Sequence, residues 1–330
     1  MTSPSSDTRP LAVVILAAGK GTRMRSDIPK VLHKIAGKSI VGHAASAPAQ
    51  LSPDRLVIVV GPGMESIADD VPGAVAVVQH ECLGTAHAVL TAREALADFH
   101  GDLMILNGDV PLIQPKTLVD LRQSINMGAA VAVLGYHCST EHAYGRLIID
   151  ADGALDRIVE NKDATDEEKQ TNLCNSNAIV LAADHAWDIL TAIDNDNAQG
   201  EYYLPDVVKV ARAKGLSCTY ALAPEDEVHG INSRSELARA EGFLQTRLRK
   251  RAMEEGATLI APDTVFFSHD TKLGRDVIIE PHVVFGPGVV VADNVTVKAF
   301  SHLEGATVAK SATVGPYVRL RPGADVGVGA

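Results

Sequence analysis

Residues 11–32 read L-A-V-V-I-L-A-A-G-K-G-T-R-M-R-S-D-I-P-K-V-L. The stretch opens with a continuous apolar run, too short to cross a bilayer and of the kind a strand shows when both its faces are covered. At Gly19 the run breaks into a glycine-rich turn carrying Lys20 and Arg23, with Lys30 close behind. Glycines let the backbone approach a ligand, and successive N–H groups in such a turn form an anion-binding nest. A strand end, a nest and three cations make a phosphate site. Two familiar phosphate loops are excluded. A Walker loop needs G-x-x-x-x-G-K-[ST], but Gly21 follows Lys20 here. A dinucleotide fingerprint needs G-x-G-x-x-G, and Met24 stands at its third glycine.

Composition bounds the rest. A chain of 330 residues suggests roughly two domains. It is 46% hydrophobic but only 4% aromatic, so Val, Ile, Leu and Ala must build the core. A formal net charge of -11 excludes the basic excess a nucleic-acid binder needs, while leaving room for a local cationic pocket around a small anion. Cys82, Cys138, Cys174 and Cys218 lie far apart with no C-x-x-C, as expected of reduced thiols rather than disulfides or a zinc site. The polar start and the absence of an export signal or apolar span predict a cytoplasmic protein that does not enter a membrane.

Further along, residues 56–60, 74–79 and 103–106 read as buried strands, with a helix from about residue 40 and another over 85–97. This alternation predicts an α/β, Rossmann-like domain with a mixed, mainly parallel sheet and helices on both faces. Ligands in such sheets bind beyond the carboxyl ends of the strands, where Gly19, Gln79 and Asp109 all fall. Asp109 has the sequence context of a turn former or cap. Its position after Gly108 on the ligand side favours a hard carboxylate ligand for Mg2+, which takes one or two protein oxygens plus phosphates and waters.

Beyond residue 125 come a strand over 129–136 and shorter strands in A-Y-G-R-L-I-I-D and A-L-D-R-I-V-E-N-K-D-A-T. The turn Asp150-Ala-Asp-Gly153 between them predicts antiparallel pairing. Ser233 with Glu236 is a capping box, Gly256 a stop, and Leu237, Ala240, Leu244, Leu248 and Ala252 an apolar stripe, so 233–256 reads as a linker helix. From there Ile278, Val284, Val290, Thr296, His302, Val308, Val314, Leu320 and Val326 stand six residues apart. A six-residue period marks a parallel β-helix whose short strands each turn one aliphatic inward, with Thr296 and His302 interrupting the aliphatic register. The pattern runs to Ala330 without the polar cap that solenoid ends need, which reads as a truncated molecule.

The strings G-K-G-T-R-M, P-K-V-L-H, L-G-T-A-H-A, G-D-V-P-L, Y-G-R, E-N-K-D-A-T, N-A-Q-G-E-Y-Y, G-I-N and R-L-R-P-G-A, in this order, resemble the bifunctional N-acetylglucosamine-1-phosphate uridyltransferase and glucosamine-1-phosphate N-acetyltransferase family. The resemblance implies a nucleotidyltransferase domain over 1–232, a linker helix over 233–256 and a partial acetyltransferase domain, a left-handed β-helix of hexapeptide repeats, over 257–330. The implied reaction joins UTP and N-acetylglucosamine 1-phosphate into UDP-N-acetylglucosamine and pyrophosphate, for bacterial cell-wall precursors. Leu16, Ala17, Ala18 and Gly19 would contact the uracil and ribose, and Gln79, Gly84 and Thr85 would read the uracil edge. Arg23 and Lys30 would hold the triphosphate. Asp109 and Asn232 would share Mg2+, beside Asn107 and Gly108. Gly145, Glu160 and Asn175 would bind the N-acetylglucosamine moiety. Two departures stand out: the family's Tyr-Gly-Asp is Asn107-Gly108-Asp109 here, and its Asn-Thr-Gly is Asn175-Ser176-Asn177. In the second domain Arg321 resembles the arginine that binds the acetyl acceptor's phosphate. The other acetyltransferase residues would lie beyond Ala330, so acetyl transfer from acetyl-CoA to glucosamine 1-phosphate is expected to be missing. The resemblance further implies a homotrimer. Two alternatives remain at this point. One is a transferase for another nucleotide or hexose 1-phosphate. The other is a non-catalytic two-domain scaffold, against which the retention of Arg23, Lys30 and Asp109 argues.

Overall fold

The computed structural model describes residues 9–19, 21–138 and 144–330, so Lys20 of the glycine turn lies outside the described residues. The chain divides into two compact units: Met1–His33 with Ile40–Asn232, and Lys34–Ser39 with Ser233–Ala330. In chain order the elements begin with β1 (Leu11–Leu16), a small hairpin of β2 (Lys34–Ile35) and β3 (Lys38–Ser39), α1 (Ile40–Ala49), β4 (Arg55–Val60) and β5 (Val75–Val78). Next come α2 (Thr85–Thr91), β6 (Asp102–Asn107), α3 (Pro115–Asn126), β7 (Val131–His137), β8 (Arg146–Ile149), β9 (Leu155–Val159) and β10 (Leu173–Leu181). The first unit closes with α4 (Ala186–Leu190), α5 (Val207–Ala213) and β11 (Cys218–Leu222).

The first unit is built on a nine-stranded mixed sheet in the order β11-β7-β10-β6-β1-β4-β5, with β8 pairing β10 and β9. Strand β1 lies parallel between β4 and β6, and its apolar run is explained by burial on both sides. Val13 and Ile15 pack with Met104 and Leu106 on one face, Ala12 and Val14 with Ile105 and Val89 on the other. Each such valine or isoleucine contributes about 1.5–3 kcal/mol by leaving water. The antiparallel pairing of β8 with β9 across the Asp150–Gly153 turn agrees with the sequence reading.

The helix expected over 85–97 is shorter. Helix α2 ends at Thr91, and a 3-10 turn follows at Glu94–Leu96. The Thr91 hydroxyl donates to the carbonyls of His87 and Ala88. The Ala92 N–H turns to Val89 instead, so the ladder tightens to three-residue spacing.

In the second unit the helix α6 (Arg234–Glu254) begins at Ser233, whose Oγ accepts from the Glu236 N–H, and Gly256 follows its end with φ of 107°. Ala240, Leu248 and Ala252 of its stripe are buried. The two-residue strands stack in three parallel ladders. One runs Thr258–Leu259, Ile278–Ile279, Thr296–Val297, Thr313–Val314. The other two contain Val290–Val291 and Val284–Phe285.

The inward register differs from the expected one by a single residue over the first coils. Ile278, Val284 and Val290 are 41, 37 and 41% exposed, whereas Ile279, Phe285, Val291, Val297 and Leu303 are buried. Thr296 and His302 therefore sit on the outside and interrupt nothing. The period is also uneven, because the step from Leu303 to Val308 is five residues. Val308 and Val314 are thus buried as expected, with Leu320 and Val326 packed against the same core. Neighbouring side chains on a strand face opposite ways, so one residue of slip exchanges inside and outside. With aliphatics on both positions of several strands, the six-residue count alone could not choose between them. Among the described residues no helix is long and apolar enough to cross a membrane.

Candidate active site

Parallel pairing brings the carboxyl ends of four strands to one edge of the sheet. Leu16 lies opposite Asn107 and Val59, and Val78 lies opposite Val60. A cavity of about 350 Å3 opens there. Its walls include Leu16, Ala17, Ala18 and Gly19 after β1, Gln79 after β5, Gly84 and Thr85 at α2, and Asn107 and Asp109 after β6, with Lys30.

The two glycines of the turn serve different purposes. A Cβ on Gly19 would meet nothing within 4 Å, so this wall is open to a ligand's approach. Gly21, at φ of 61°, instead lies against Lys30, whose Cβ would be 2.4 Å from a Cβ placed there. Gly21 is required by the packing of Lys30 rather than by a ligand. Gly84, at φ of 121°, faces the backbone of Tyr202, whose oxygen would be 2.4 Å from an added Cβ. That contact docks the N-A-Q-G-E-Y-Y segment: Tyr202 N donates to Leu83 O, and Ala86 N to Tyr202 O. Glu201 consequently joins the cavity wall, and the Thr85 hydroxyl accepts from Leu204 N. Buried Gln79 donates to the Gly84 carbonyl and meets His87 Nδ1.

A second cavity of about 230 Å3 shares Thr85, Asn107 and Glu201 with the first, so the two adjoin. Glu160, Asn177, Gln199 and Tyr203 line it. Burial pushes the Glu160 carboxyl up from its ordinary value, and the carboxylates of Asp163 and Asp206 push the same way. A Cβ at Gly145 would lie 3.1 Å from Glu160 Oε1, so Gly145 makes room for that carboxyl. Asn175 is buried and lines neither cavity. Its side chain instead brackets Asn177, donating to Asn177 Oδ1 at 2.7 Å and accepting from Asn177 N at 2.9 Å. Asn177 takes φ of 62° at an irregularity in the β7–β10 pairing, a conformation that suits Gly and is tolerated by Asn. The departure from Asn-Thr-Gly is thus accommodated by the backbone and adds an amide to the cavity.

Lys30 Nζ lies 2.5 Å from Asp109 Oδ2 and 2.9 Å from Asn232 Oδ1. Backbone pairing of Ile231 N with Asp109 O holds the two strings G-D-V and G-I-N together. Two hard oxygens converging on one point fit a divalent cation that completes its shell with phosphate and water. Among the described residues no group of three or more His, Cys, Asp or Glu could cage a metal without such help. Arg23 is exposed and lies outside the walls of both cavities. Gly108 is packed against Leu16 O, within 3.1 Å of an added Cβ, rather than facing the cavity. Arg321 is an exposed residue of the second unit.

The sequence reading assigned no site role to Glu201, Gln199, Tyr203, Asn177 or Cys82, all of which line a cavity. The string N-A-Q-G-E-Y-Y carried the available signal for three of them, since a polar run with a glycine ahead of a helix suits a docked loop.

Residues 13–192 match the MobA-like NTP transferase domain, and residues 270–305 match the bacterial transferase hexapeptide, six repeats. The chain is 52% identical to the bifunctional protein GlmU of Azorhizobium caulinodans, over 97% of this chain and 72% of that protein. It is 50% identical to the bifunctional protein GlmU of Paramagnetospirillum magneticum, over 96% of this chain and 71% of that one. Among solved structures, UDP-glucose pyrophosphorylase complexed with UDP-glucose superposes with a TM-score of 0.57 at 17% identity, covering 72% of this chain and 99% of that one, which supports the fold. A nucleotidyltransferase sheet with its cavity at the strand ends, followed by hexapeptide coils, and this level of identity and coverage lead to one conclusion: the chain belongs to the bifunctional GlmU family.

Proposed function

We propose that this chain transfers a uridylyl group from UTP to N-acetylglucosamine 1-phosphate, releasing pyrophosphate and UDP-N-acetylglucosamine, with Mg2+ as the divalent ion. The observation that carries the reading is the pair of adjoining cavities that share Thr85, Asn107 and Glu201, with Lys30 and Asp109 in the wall of the first. One cavity suits the nucleotide and the other the sugar, so the two phosphates meet where the cavities join.

The chemistry asks for position and charge. An oxygen of the sugar phosphate attacks the α-phosphorus, a new P–O bond forms, and the bond to pyrophosphate breaks. The attacking phosphate is already ionised near neutral pH, its second pKa being about 6, so no protein nucleophile or base is needed. Lys30 offers its ammonium to the triphosphate, and Arg23 adds a second cation from the turn. Asp109 and Asn232 supply the oxygens that would hold Mg2+, which when bound offsets charge on the transferring phosphates. The remaining acceleration comes from alignment of two anions held in adjoining cavities. In the sugar cavity Glu160 and Asn177 present acceptors and donors to hydroxyl and acetamido groups. Gln79, Gly84 and Thr85 line the base end.

The outward aliphatics Ile278, Val284 and Val290 support assembly through the β-helix, which we read as a homotrimer in the cytoplasm. The reaction is tested by following pyrophosphate release with a panel of nucleoside triphosphates and sugar 1-phosphates, with and without Mg2+. UTP with N-acetylglucosamine 1-phosphate should dominate. A higher kcat/KM for another pair, or equal turnover in excess chelator, would overturn the substrate or the metal assignment respectively.

A further inference from the structure

The Lys30 ammonium lies between the two oxygens assigned to the metal, 2.5 Å from Asp109 Oδ2 and 2.9 Å from Asn232 Oδ1. An ammonium and a divalent cation cannot both occupy that point. We propose that Lys30 is a displaceable internal counter-cation. It neutralises Asp109 in the ligand-free protein and is released toward the phosphates when a divalent cation takes the two oxygens. The inference rests on the reading of Asp109 and Asn232 as metal ligands.

Three features of the site point this way. First, the Asp109 side chain is 19% exposed, and among the described residues its ion pairing is with Lys30 alone. A carboxylate so far withdrawn from water is costly without a cation beside it, so the ligand-free protein needs one. Second, the root of Lys30 is fixed by packing, whereas its tip is held by the polar contacts to Asp109 and Asn232. Gly21 packs against its Cβ, and Lys30 opens a short 3-10 turn after Pro29. The head group is a compact point charge on a four-carbon stem, able to exchange one set of acceptors for another, which a planar guanidinium fork could not do as readily. Third, Lys30 lines the cavity together with Gly19 and Asn107, so the ammonium and an incoming phosphate share a wall.

Linkage then gives the consequence. If the ammonium and the divalent ion compete for the same oxygens, Lys30 lowers the metal affinity of the free protein. A triphosphate that pairs with the ammonium raises that affinity by the same factor by which metal raises triphosphate affinity. Metal without nucleotide is held weakly, and the two bind tightly only together.

The test measures Mn2+ binding to the full chain without nucleotide, from the loss of the free-ion paramagnetic resonance signal. Lys30→Met keeps the apolar stem and removes the charge, and should bind Mn2+ about 5–150-fold more tightly than the natural protein, the usual range for such coupling. Adding Asp109→Asn to Lys30→Met should abolish the gain. A second measurement uses the unaltered protein and so does not depend on the variant folding. Mn2+ should speed reductive methylation of Lys30, followed by peptide mass spectrometry. Equal or weaker Mn2+ affinity in folded Lys30→Met, or methylation of Lys30 unchanged by saturating Mn2+, overturns the competition. If turnover by the unaltered protein still requires a divalent ion in that case, the metal reading survives. Turnover that is indifferent to chelator removes the metal reading and this inference with it.

Discussion

Three Gly→Ala substitutions, two in the wall of the nucleotide cavity and one after α3, separate backbone strain, steric contact and ligand contact. At Gly84 the backbone has φ of 121°, and an added Cβ would lie 2.4 Å from the oxygen, 2.6 Å from the nitrogen and 2.9 Å from the carbonyl carbon of Tyr202. These are backbone atoms and cannot rotate away, so the Asn197–Tyr203 loop must move. The move endangers two hydrogen bonds, Tyr202 N to Leu83 O at 2.8 Å and Ala86 N to Tyr202 O at 2.9 Å. Strain of about 1–3 kcal/mol and two hydrogen bonds of about 0.5–1.5 kcal/mol each give a loss of about 2–6 kcal/mol for Gly84→Ala. Gly128 has a similar φ of 103° with nothing within 4 Å, so Gly128→Ala should show the strain alone, about 1–3 kcal/mol. Gly19→Ala has neither strain nor contact and should stay within about 0.5 kcal/mol. The assay is urea unfolding followed by the fluorescence of the single tryptophan, Trp187, which packs on the core of the first unit and so reports that unit. Kinetics complete the separation. Gly84→Ala should raise KM for UTP as Thr85 and Glu201 shift, Gly128→Ala should leave turnover unchanged, and Gly19→Ala should lose turnover at full stability. A Gly84→Ala protein no less stable than Gly128→Ala would refute the role given to the Tyr202 contact.

In the β-helix, Val297→Ala should destabilise by about 1–3 kcal/mol while Thr296→Ala stays within about 0.5 kcal/mol, and equal effects would contradict the inward register. Burial raises the Glu160 carboxyl, so the folded state resists its ionisation, and stability falls as pH climbs above the ordinary carboxylate range. Glu160→Gln should therefore be more stable than the natural protein at pH 7 but not at pH 4, measured by urea midpoints. Burial pushes the thiols of Cys174 and Cys218 up to about 11, whereas Cys82 is exposed in the cavity wall. Labelling with a disulfide reagent at pH 8 should modify Cys82 well before those two and slow in the presence of UTP. Arg23 lies outside both cavity walls, so its proposed role needs it to reach the triphosphate when that binds. Arg23→Ala should then lower kcat by about 10²–10³, the scale for losing one charge-stabilising donor, and a change confined to KM would assign Arg23 to ground-state binding.

Much of this molecule is written in local patterns. The unbroken apolar run of β1 declares a strand covered on both faces, and Ser233 with Glu236 marks the start of α6 to the residue. The turn residues Asp150–Gly153 announce an antiparallel pair, and the six-residue period announces stacked coils. Such signals report the conformation and burial of a segment, because they arise from side-chain spacing within it. They do not name its partner. Lys30 meets Asp109 and Asn232 across separations of 79 and 202 residues, a meeting set by strand order and by the pairing of Ile231 with Asp109. Asn175, expected at the sugar, turns out to hold Asn177, because a left-handed residue at a sheet irregularity needs its amide bracketed. The hairpin β2–β3 looks like a mere connector in the sequence. Yet Ala36 N donates to Glu241 and Ala36 O accepts from Ser268, which makes Lys34–Ser39 part of the second unit. In the coils, Ile278–Ile279, Val284–Phe285 and Val290–Val291 carry apolar residues at both strand positions, which leaves the register open before the five-residue step between Leu303 and Val308. Only the stacking of one coil on the next decides which of the two is inside, because only there does the choice cost buried apolar area.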